Sequence, residues 1–318
     1  MLAYLAYLGC RMMPASELPM PGYDAGSEPD AAEDVVELDA SIDVVEEEAA
    51  TAEVVDAALE AEASVTADAG NAPEGMLLVP GGTYAMGRDE GGEGDERPAH
   101  DVTVASFWFD RTEVTQAAYD ECIKAGICRA PDEQSINAFS GLFKGPNKPI
   151  VGVSWHDATK YCQWKGKRLP REAEFERAVR GDDGRRFPWG NDAPTHERTV
   201  FDTNSPEDVG THPLGKGPYG HDDLAGNVWE WIDDDYDPLA YRRGHVGSCD
   251  EIKAAQDKLR AEHKQGFTGT NPIPTVCEKT IRGGAYNYPG YGLRSTNRVH
   301  HPAGFRLRMT GFRCARDL

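Results

Sequence analysis

The feature that most constrains this chain of 318 residues is the uneven spread of its charged and aromatic residues. Between Glu17 and Gly75 there are 18 Asp or Glu residues but no Lys, Arg, Trp or Phe. Such a segment has too little apolar surface to offset the conformational entropy that it would lose on ordering. We therefore predict a disordered acidic tether at residues 11–74. Residues 75–318 are predicted to form a single folded domain.

The net charge of −21 belongs mainly to this tether. Residues 76–318 carry 36 acidic and 32 basic residues, so the folded part is nearly neutral and its charge points to no partner. A solvated linker is the simplest interpretation of the acidic run, and an acidic effector tail is the alternative. All six Trp lie in the folded part without a basic cluster among interleaved aromatic residues, so the pattern typical of nucleic-acid binding is missing.

The first ten residues, MLAYLAYLGC, form a short apolar run that ends in Cys10. The run is too short to span a bilayer and lacks the positively charged start of a secretory signal. Its end resembles the lipobox of bacterial lipoproteins, although Tyr7 stands where an aliphatic residue is usual. We expect a truncated lipoprotein signal at residues 1–10 and membrane contact only through a lipid on Cys10. An accidental or buried Cys10 is the alternative.

Short apolar runs broken by Gly and Pro follow Gly75 and predict an irregular, loop-rich α+β fold. Residues 76–87, MLLVPGGTYAMG, are typical of two strands around a Pro-Gly-Gly turn. The first helix is predicted to begin after an N-cap at Thr112 and to stop at Gly126.

Three further helices are predicted. One begins at Ser154 or Asp157, and another lies between Pro170 and Gly181. The periodic sequence CDEIKAAQDKLRAEHK predicts the last.

The helix after Pro170 is dense in charge. Glu172 and Glu176 lie four residues apart on one helical face, next to Arg171 and Arg177. This spacing favours a structural ion-pair lattice over acid–base catalysis.

Six cysteines follow Cys10, and an even number in an exported chain indicates disulfides. None belongs to a CxxC pair, so a structural zinc site is not expected. Cys122 and Cys128 lie six residues apart, and Gly126 would let the chain turn back to pair them. Buried free thiols are the alternative for all six.

Several strings in this order resemble the formylglycine-generating, or sulfatase-modifying-factor, family: MLLVPGGTYAMG, VTVASFWFDRTEVTQAAY, PIVGVSWHDATKYCQWKGKRLPREAEFERAVRG, FPWGN, DLAGNVWEW, IRGGAY and GFRCA. The resemblance covers about residues 75–318. It implies an irregular α+β single domain related to C-type lectins, with calcium sites and disulfides. It also implies a bond between Cys162 and Cys314, which leaves Cys249 to pair with Cys277.

The string DLAGNVWEW carries the expected metal chemistry. Calcium takes six to eight oxygens from carboxylates and main-chain carbonyls. The resemblance implies ligands from the side chain of Asp223, the carbonyls of Gly226 and Val228, and the carboxylate of Glu230. Without the resemblance, Asp223 and Glu230 would read as solvated turn residues. A second family site would fall at Thr199 and Val200, where Thr replaces the usual Asn.

Oxidases of this family follow the glycine pair with a serine and two cysteines that bind copper, because soft thiolates hold the cuprous ion. Here the serine position is Ala285, and the cysteine positions are Tyr288 and Leu293. Met309 replaces the asparagine that oxidases place before GFRC. We therefore expect no copper and no thiol oxidation. The iron-dependent sulfoxide synthases of the family place their metal histidines in an additional N-terminal helical domain. In this chain the acidic tether occupies that position, so we do not expect this activity either.

The leading hypothesis is an exported, periplasmic or cell-surface member of the family that binds a peptide, protein or acidic glycan through the old substrate cleft. Tyrosines and arginines suit such ligands, because they provide rigid contact area and carboxylate recognition. An oxidoreductase of the family and a purely structural envelope protein are the alternatives. Core packing is the alternative for the tyrosines of the proposed cleft, whose candidates are Ala285, Tyr286, Asn287, Tyr288, Tyr291, Arg294 and Arg298.

Overall fold

A computed structural model describes residues 72–132, 141–262 and 275–318. The predictions for the lipoprotein signal, for Cys10 and for nearly all of the tether concern residues 1–71 and lie outside the described residues.

Within the described residues, nine short strands form three separate sheets. Their order is β1-β4-β9 in the first sheet, β2-β3 in the second and β7-β6-β5-β8 in the third, in which only the β5–β8 pair is parallel. The strands are β1 (Met76–Val79), β2 (Gly82–Met86), β3 (His100–Val104), β4 (Phe107–Asp110), β5 (Trp229–Asp235), β6 (Lys279–Arg282), β7 (Val299–His301), β8 (Thr310–Gly311) and β9 (Ala315–Asp317).

The part of the chain that the structure describes contains the four predicted helices and one short additional α-helix. None of the helices in the described ranges is both long and apolar enough to cross a bilayer. The helices are α1 (Gln116–Lys124), α2 (Trp155–Trp164), α3 (Glu172–Arg180), α4 (Ala240–Arg243) and α5 (Cys249–Glu262). The result is the loop-rich α+β domain that the sequence predicts.

The predicted N-cap of α1 at Thr112 is wrong. Thr115 caps the helix, since its hydroxyl accepts a hydrogen bond from the backbone N–H of Ala118. The chain is still extended before this point because Val114 pairs through its backbone with Phe312 and Ile150. The helix can therefore begin only after Val114. Ser154 caps α2, as one of the two predicted alternatives.

The strands on either side of the Pro-Gly-Gly turn belong to different sheets. Strand β1 pairs with β4, whereas β2 pairs with β3. Gly81 makes this crossing possible, because a Cβ atom at this position would lie 2.6 Å from the backbone nitrogen of Ser106. The local pattern predicts both strands correctly but carries no information on which partner each strand finds.

An aromatic core holds α1 and α2 against the sheets. The rings of Tyr119 and Tyr161 stack with centroids 5.6 Å apart, and both contact the ring of Phe312 edge-on. Trp229 and Trp231 of β5 are buried in the same cluster. The C-terminal segment is therefore packed into the middle of the domain rather than along its edge.

Three disulfides join the six described cysteines in the expected pairs. Cys162–Cys314 ties α2 to the residue before β9, and Cys249–Cys277 ties the start of α5 to the chain before β6. The local Cys122–Cys128 bond closes the end of α1. A domain with so little regular structure gains stability from such crosslinks.

We predict that removing the long-range bond with Cys162→Ala/Cys314→Ala costs far more stability than removing the local bond with Cys122→Ala/Cys128→Ala. The bonds span 152 and 6 residues, so chain-entropy arguments give losses of roughly 5 and roughly 2 kcal/mol. Denaturant unfolding of the two double variants measures the difference. Equal losses would show that the loop-closure argument does not govern this domain.

Candidate functional site

The segment between β6 and β7, residues 283–298, begins with two glycines in left-handed conformations. Gly283 and Gly284 have φ angles of 96° and 85°. A Cβ atom on Gly284 would lie 2.5 Å from a methyl carbon of Leu293, so the chain folds back tightly on itself here. This turn brings two positions of the predicted cleft, Ala285 and Leu293, into the buried interior.

Only part of the predicted tyrosine cleft reaches the surface. Tyr286 is buried against Phe143 and belongs to the core, as the packing alternative predicts. Tyr288 is half-buried and meets the ring of Trp229 edge-on, with centroids 5.1 Å apart. Asn287 is exposed, and Tyr291 is 52% exposed. Of the predicted cleft residues, Asn287, Tyr288 and Tyr291 therefore reach the surface, and we call these three the tyrosine surface.

Arg294 and Arg298 do not line an open cleft. The guanidinium of Arg298 is fully buried and donates to both carboxylate oxygens of Glu172, at 2.7 and 2.9 Å. Arg294 is buried as well and donates to Glu96 at 2.6 Å. The sequence predicted both arginines in the ligand cleft because their acidic partners lie more than 120 residues away, where no local pattern identifies them.

The ion-pair lattice predicted on α3 exists, and arginines from other parts of the chain join Arg180 of the helix itself in forming it. Glu172 and Glu176 both accept hydrogen bonds from Arg282 of β6. Arg171 and Arg177, the neighbours named by the spacing, pair with Glu174 and Asp182.

Burial alone would favour the neutral form of Glu172. Arg298 and Arg282 outweigh that effect and hold the pKa of Glu172 below its ordinary value. The lattice therefore carries charge in the folded protein, which fits a structural role rather than an acid–base one.

The positions that match the oxidase residues hold no thiol. Ala285 and Leu293 are buried, and burial raises the pKa of the Tyr288 phenol, which keeps it protonated. All six cysteines of the described residues are in disulfides. The part of the chain that the structure describes therefore offers no thiolate to a soft metal ion.

A cluster of three buried carboxylates surrounds Arg313, the arginine of the GFRC string. Arg313 donates to both oxygens of Glu230 at 2.7 Å, and its Nη2 lies 4.0 Å from Glu113 Oε2. Asp223 completes the cluster, since its main-chain carbonyl also accepts from Arg313. Sequence reasoning found Asp223 and Glu230 but missed Glu113 and Arg313. The GFRC string, which belongs to the family resemblance, is the sequence feature that could have identified Arg313.

The cluster holds more negative charge than Arg313 can neutralise. Burial raises the pKa of Glu113 well above its ordinary value, and repulsion by Asp223 adds to the effect. Burial also raises the pKa values of Asp223 and Glu230. Glu113 Oε2 is buried without a hydrogen-bond partner. The raised pKa values mean that the ionised forms of these carboxyls lack countercharge, and a bound cation would supply it.

The backbone of the DLAGNVWEW loop turns tightly, with three residues in the left-handed region. Asp223, Gly226 and Asn227 have φ angles of 54°, 87° and 57°. No group of three or more His, Cys, Asp or Glu side chains arranged to hold a metal is found in the described ranges. A calcium site that takes two main-chain oxygens needs only two carboxylates, so the residues that the resemblance implies still fit calcium.

The residues of the second expected calcium site pack directly against this loop. The Thr199 hydroxyl donates to the carbonyl of Ala225, and the carbonyl of Val200 accepts from the backbone of Asn227. Both oxygens already serve internal hydrogen bonds. Internal hydrogen bonds do not separate this site from the first, since both carboxylate oxygens of Glu230 also accept from Arg313.

Comparison with known proteins matches residues 61–318 to the sulfatase-modifying factor enzyme 1-like domain. The formylglycine-generating enzyme of Streptomyces coelicolor is 31% identical over 306 residues, covering 76% of this chain and 89% of that protein. The hercynine oxygenase of Mycolicibacterium smegmatis is 31% identical over 52% of this chain and 48% of its own length. Among solved structures, PvdO from Pseudomonas aeruginosa is similar with a TM-score of 0.58 and 26% identity, covering 76% of this chain and 94% of its own.

We predict that Glu172→Gln destabilises the domain by about 3–5 kcal/mol, because it leaves Arg282 and Arg298 buried with less than their full countercharge. Glu121→Gln removes one charge from the surface pair of Glu121 with Lys165, in which the Glu121 side chain is 64% exposed. This substitution should cost less than about 1 kcal/mol. Chemical denaturation of both variants measures the two losses. A small loss for Glu172→Gln would mean that Arg298 does not depend on its buried partner.

Proposed function

Because the chain belongs to the family of sulfatase-modifying factor enzyme 1-like domains, we propose that it is an exported, calcium-stabilised member that binds a ligand and does not act as a copper thiol oxidase. The observation that carries the proposal is the chemistry of the segment after the glycine pair. A copper oxidase needs two thiolates that converge on one ion, and the matching positions are a protonated phenol at Tyr288 and a hydrocarbon at Leu293.

The disulfides strengthen this argument. Cys314 is joined to Cys162, and Cys277 is joined to Cys249, so the cysteines nearest to the segment in sequence are not free to replace the missing pair. Disulfide formation also supports export, since three such bonds are typical of an oxidising compartment. We propose a periplasmic or cell-surface location, with Cys10 as a lipid anchor and the only contact with the membrane.

The tyrosine surface is the proposed ligand-binding site. Tyr288 is fixed by its contact with Trp229, whereas Tyr291 stands free enough to cover a bound ligand. Aromatic side chains that are held in place give contact area at a low entropic cost. A peptide or protein partner suits this surface better than an acidic glycan, because Arg294 and Arg298 are occupied by buried carboxylates.

Calcium has a structural role in this proposal. Asp223 and Glu230 would supply carboxylate oxygens, and Gly226 and Val228 would supply main-chain oxygens. Bound calcium would offset the excess negative charge around Glu113 and hold the loop that leads into β5. The support for this assignment is the orphaned oxygen of Glu113 in a buried acidic cluster.

An oxidoreductase of the family is the second candidate. The names of two relatives, a formylglycine-generating enzyme and a hercynine oxygenase, favour it. It would require a metal set other than the cysteine pair, because the described residues hold no free thiol.

We predict that calcium raises the melting temperature of the full chain, with about 2.7 kcal/mol of stabilisation at a hundredfold excess over Kd. Glu230→Gln should remove most of this calcium-dependent increment. The variant also weakens the pair with Arg313, so the increment and not the absolute stability is the quantity to compare. Glu174→Gln is the matched control, because Glu174 is equally buried but pairs with Arg168. An increment that survives in Glu230→Gln would place the calcium elsewhere.

We also predict no conversion of a Cys-x-Pro-x-Arg peptide to formylglycine when copper and oxygen are supplied. Mass spectrometry of the peptide measures conversion against a metal-only blank, with an oxidase of the family as the positive control. Turnover above the blank that disappears in Tyr288→Ala would reject the binding proposal and establish the oxidoreductase candidate.

A further inference from the structure

Four arginines line a small pocket that none of the predicted sites includes. Arg88 follows β2, Arg180 ends α3, and Arg185 and Arg186 lie in the turn beyond it. Asn191, Ser295 and Thr296 contribute polar groups, and no carboxylate belongs to the lining. The pocket has a volume of about 140 Å³. This is well below the roughly 300–1,000 Å³ of sites that enclose drug-sized ligands, so it suits a small ion or one group of a larger molecule.

The four arginines differ in how far the protein neutralises them. Arg185 donates to both oxygens of Asp183, at 2.9 and 2.7 Å, and is satisfied. Arg88 and Arg186, in contrast, have no carboxylate within ion-pair distance among the residues that the structure describes. Arg186 is exposed and lies over the ring of Phe187. Two full positive charges are therefore available to a ligand.

Arg180 is the buried arginine of the pocket. The residue is only 9% exposed, and its terminal nitrogens bond to Glu176 and to the carbonyl of Gly184. Its Nε has no hydrogen-bond partner. This nitrogen is itself buried, so it marks incomplete hydrogen bonding at the edge of the pocket rather than a donor that is exposed to a ligand.

The positive charges also act on one another. Burial lowers the pKa of Arg88; Glu96 opposes this change, and repulsion by Arg294, Arg186 and Arg180 adds to it. Glu176 and Asp183 pair with Arg180 and Arg185, but no ion pair neutralises Arg88 or Arg186 within the described residues, and a bound anion would relieve this excess of like charge.

We propose that this arginine pocket binds a tetrahedral oxyanion, a sulfate or phosphate group, either free or as the ester of a larger molecule. Arg88 comes from the segment after β2, whereas Arg180 and Arg186 come from the end of α3 and the turn beyond it, so the pocket brings together arginines that can meet different oxygens of one tetrahedral group. A planar carboxylate is matched best by the paired nitrogens of a single arginine, as Asp183 is by Arg185. The site is distinct from the tyrosine surface, and its proposal does not depend on the function proposed above.

Isothermal titration calorimetry of the full chain tests the proposal with sodium sulfate, sodium phosphate and sodium acetate, each at an ionic strength matched with sodium chloride. We expect saturable binding of sulfate or phosphate, and the tighter of the two identifies the chemical source. Arg186→Ala and Arg88→Ala should each weaken Kd by about tenfold, as the loss of one charge-assisted hydrogen bond does. Arg316→Ala removes an exposed arginine of β9 and should leave Kd unchanged.

Three results would overturn the proposal. They are the absence of binding at millimolar anion, an equal loss of affinity in Arg316→Ala, and acetate binding as tight as that of the tetrahedral anions. Circular dichroism verifies that each variant is folded. If Arg88→Ala unfolds, the exposed Arg186 still provides the test, because its side chain contributes little to the core.

Discussion

The buried salt bridges between α3 and the C-terminal third of the chain determine the conformation of the rest of the candidate site. Arg282 and Arg298 are fully buried and share the carboxylate of Glu172. Burying such charges costs several kcal/mol for each ion unless every group finds its partner, so the arrangement tolerates almost no displacement. Arg282 also donates to the carbonyls of Ser295 and Thr296, and this fixes the end of the segment that carries the tyrosine surface. The geometry of that segment therefore depends on charge pairing deep in the domain.

This dependence explains how the fold persists while the chemistry of the site differs. Neither the ion pairs around Glu172 nor the Cys162–Cys314 bond uses the side chains at Tyr288 or Leu293, although Leu293 packs against Gly284. Thiolates at those positions would serve copper, but the backbone does not need them. Function resides in a few side chains placed on a scaffold that is stabilised elsewhere. The family assignment is therefore secure, whereas the activity of its relatives does not transfer automatically.

Much of this architecture could be predicted from the sequence because several of its determinants are local. Helix α2 starts at a predicted cap, α5 follows its hydrophobic period, and the strands of MLLVPGGTYAMG flank their turn. The cysteine pairs followed from spacing in one case and from the resemblance in the others. The predictions from sequence were wrong where the residue that determines the structure lies far away along the chain. The start of α1 depends on backbone pairing with Phe312, and the burial of Arg298 depends on Glu172, 126 residues earlier. No local pattern contains that information.

The same reasoning separates two kinds of arginine in the domain. Arg298 and Arg313 are fully buried, and each donates to a carboxylate through more than one nitrogen. They could therefore bind a ligand only if the core were disrupted. Arg186 is exposed and carries its charge beside other arginines without a carboxylate in the pocket lining. Charge that the fold neutralises stabilises the protein, and charge that the fold concentrates but leaves unbalanced favours an anion from outside. The sequence shows only that arginines are numerous. Their pairing in three dimensions distinguishes the arginines that hold the domain together from those that can bind.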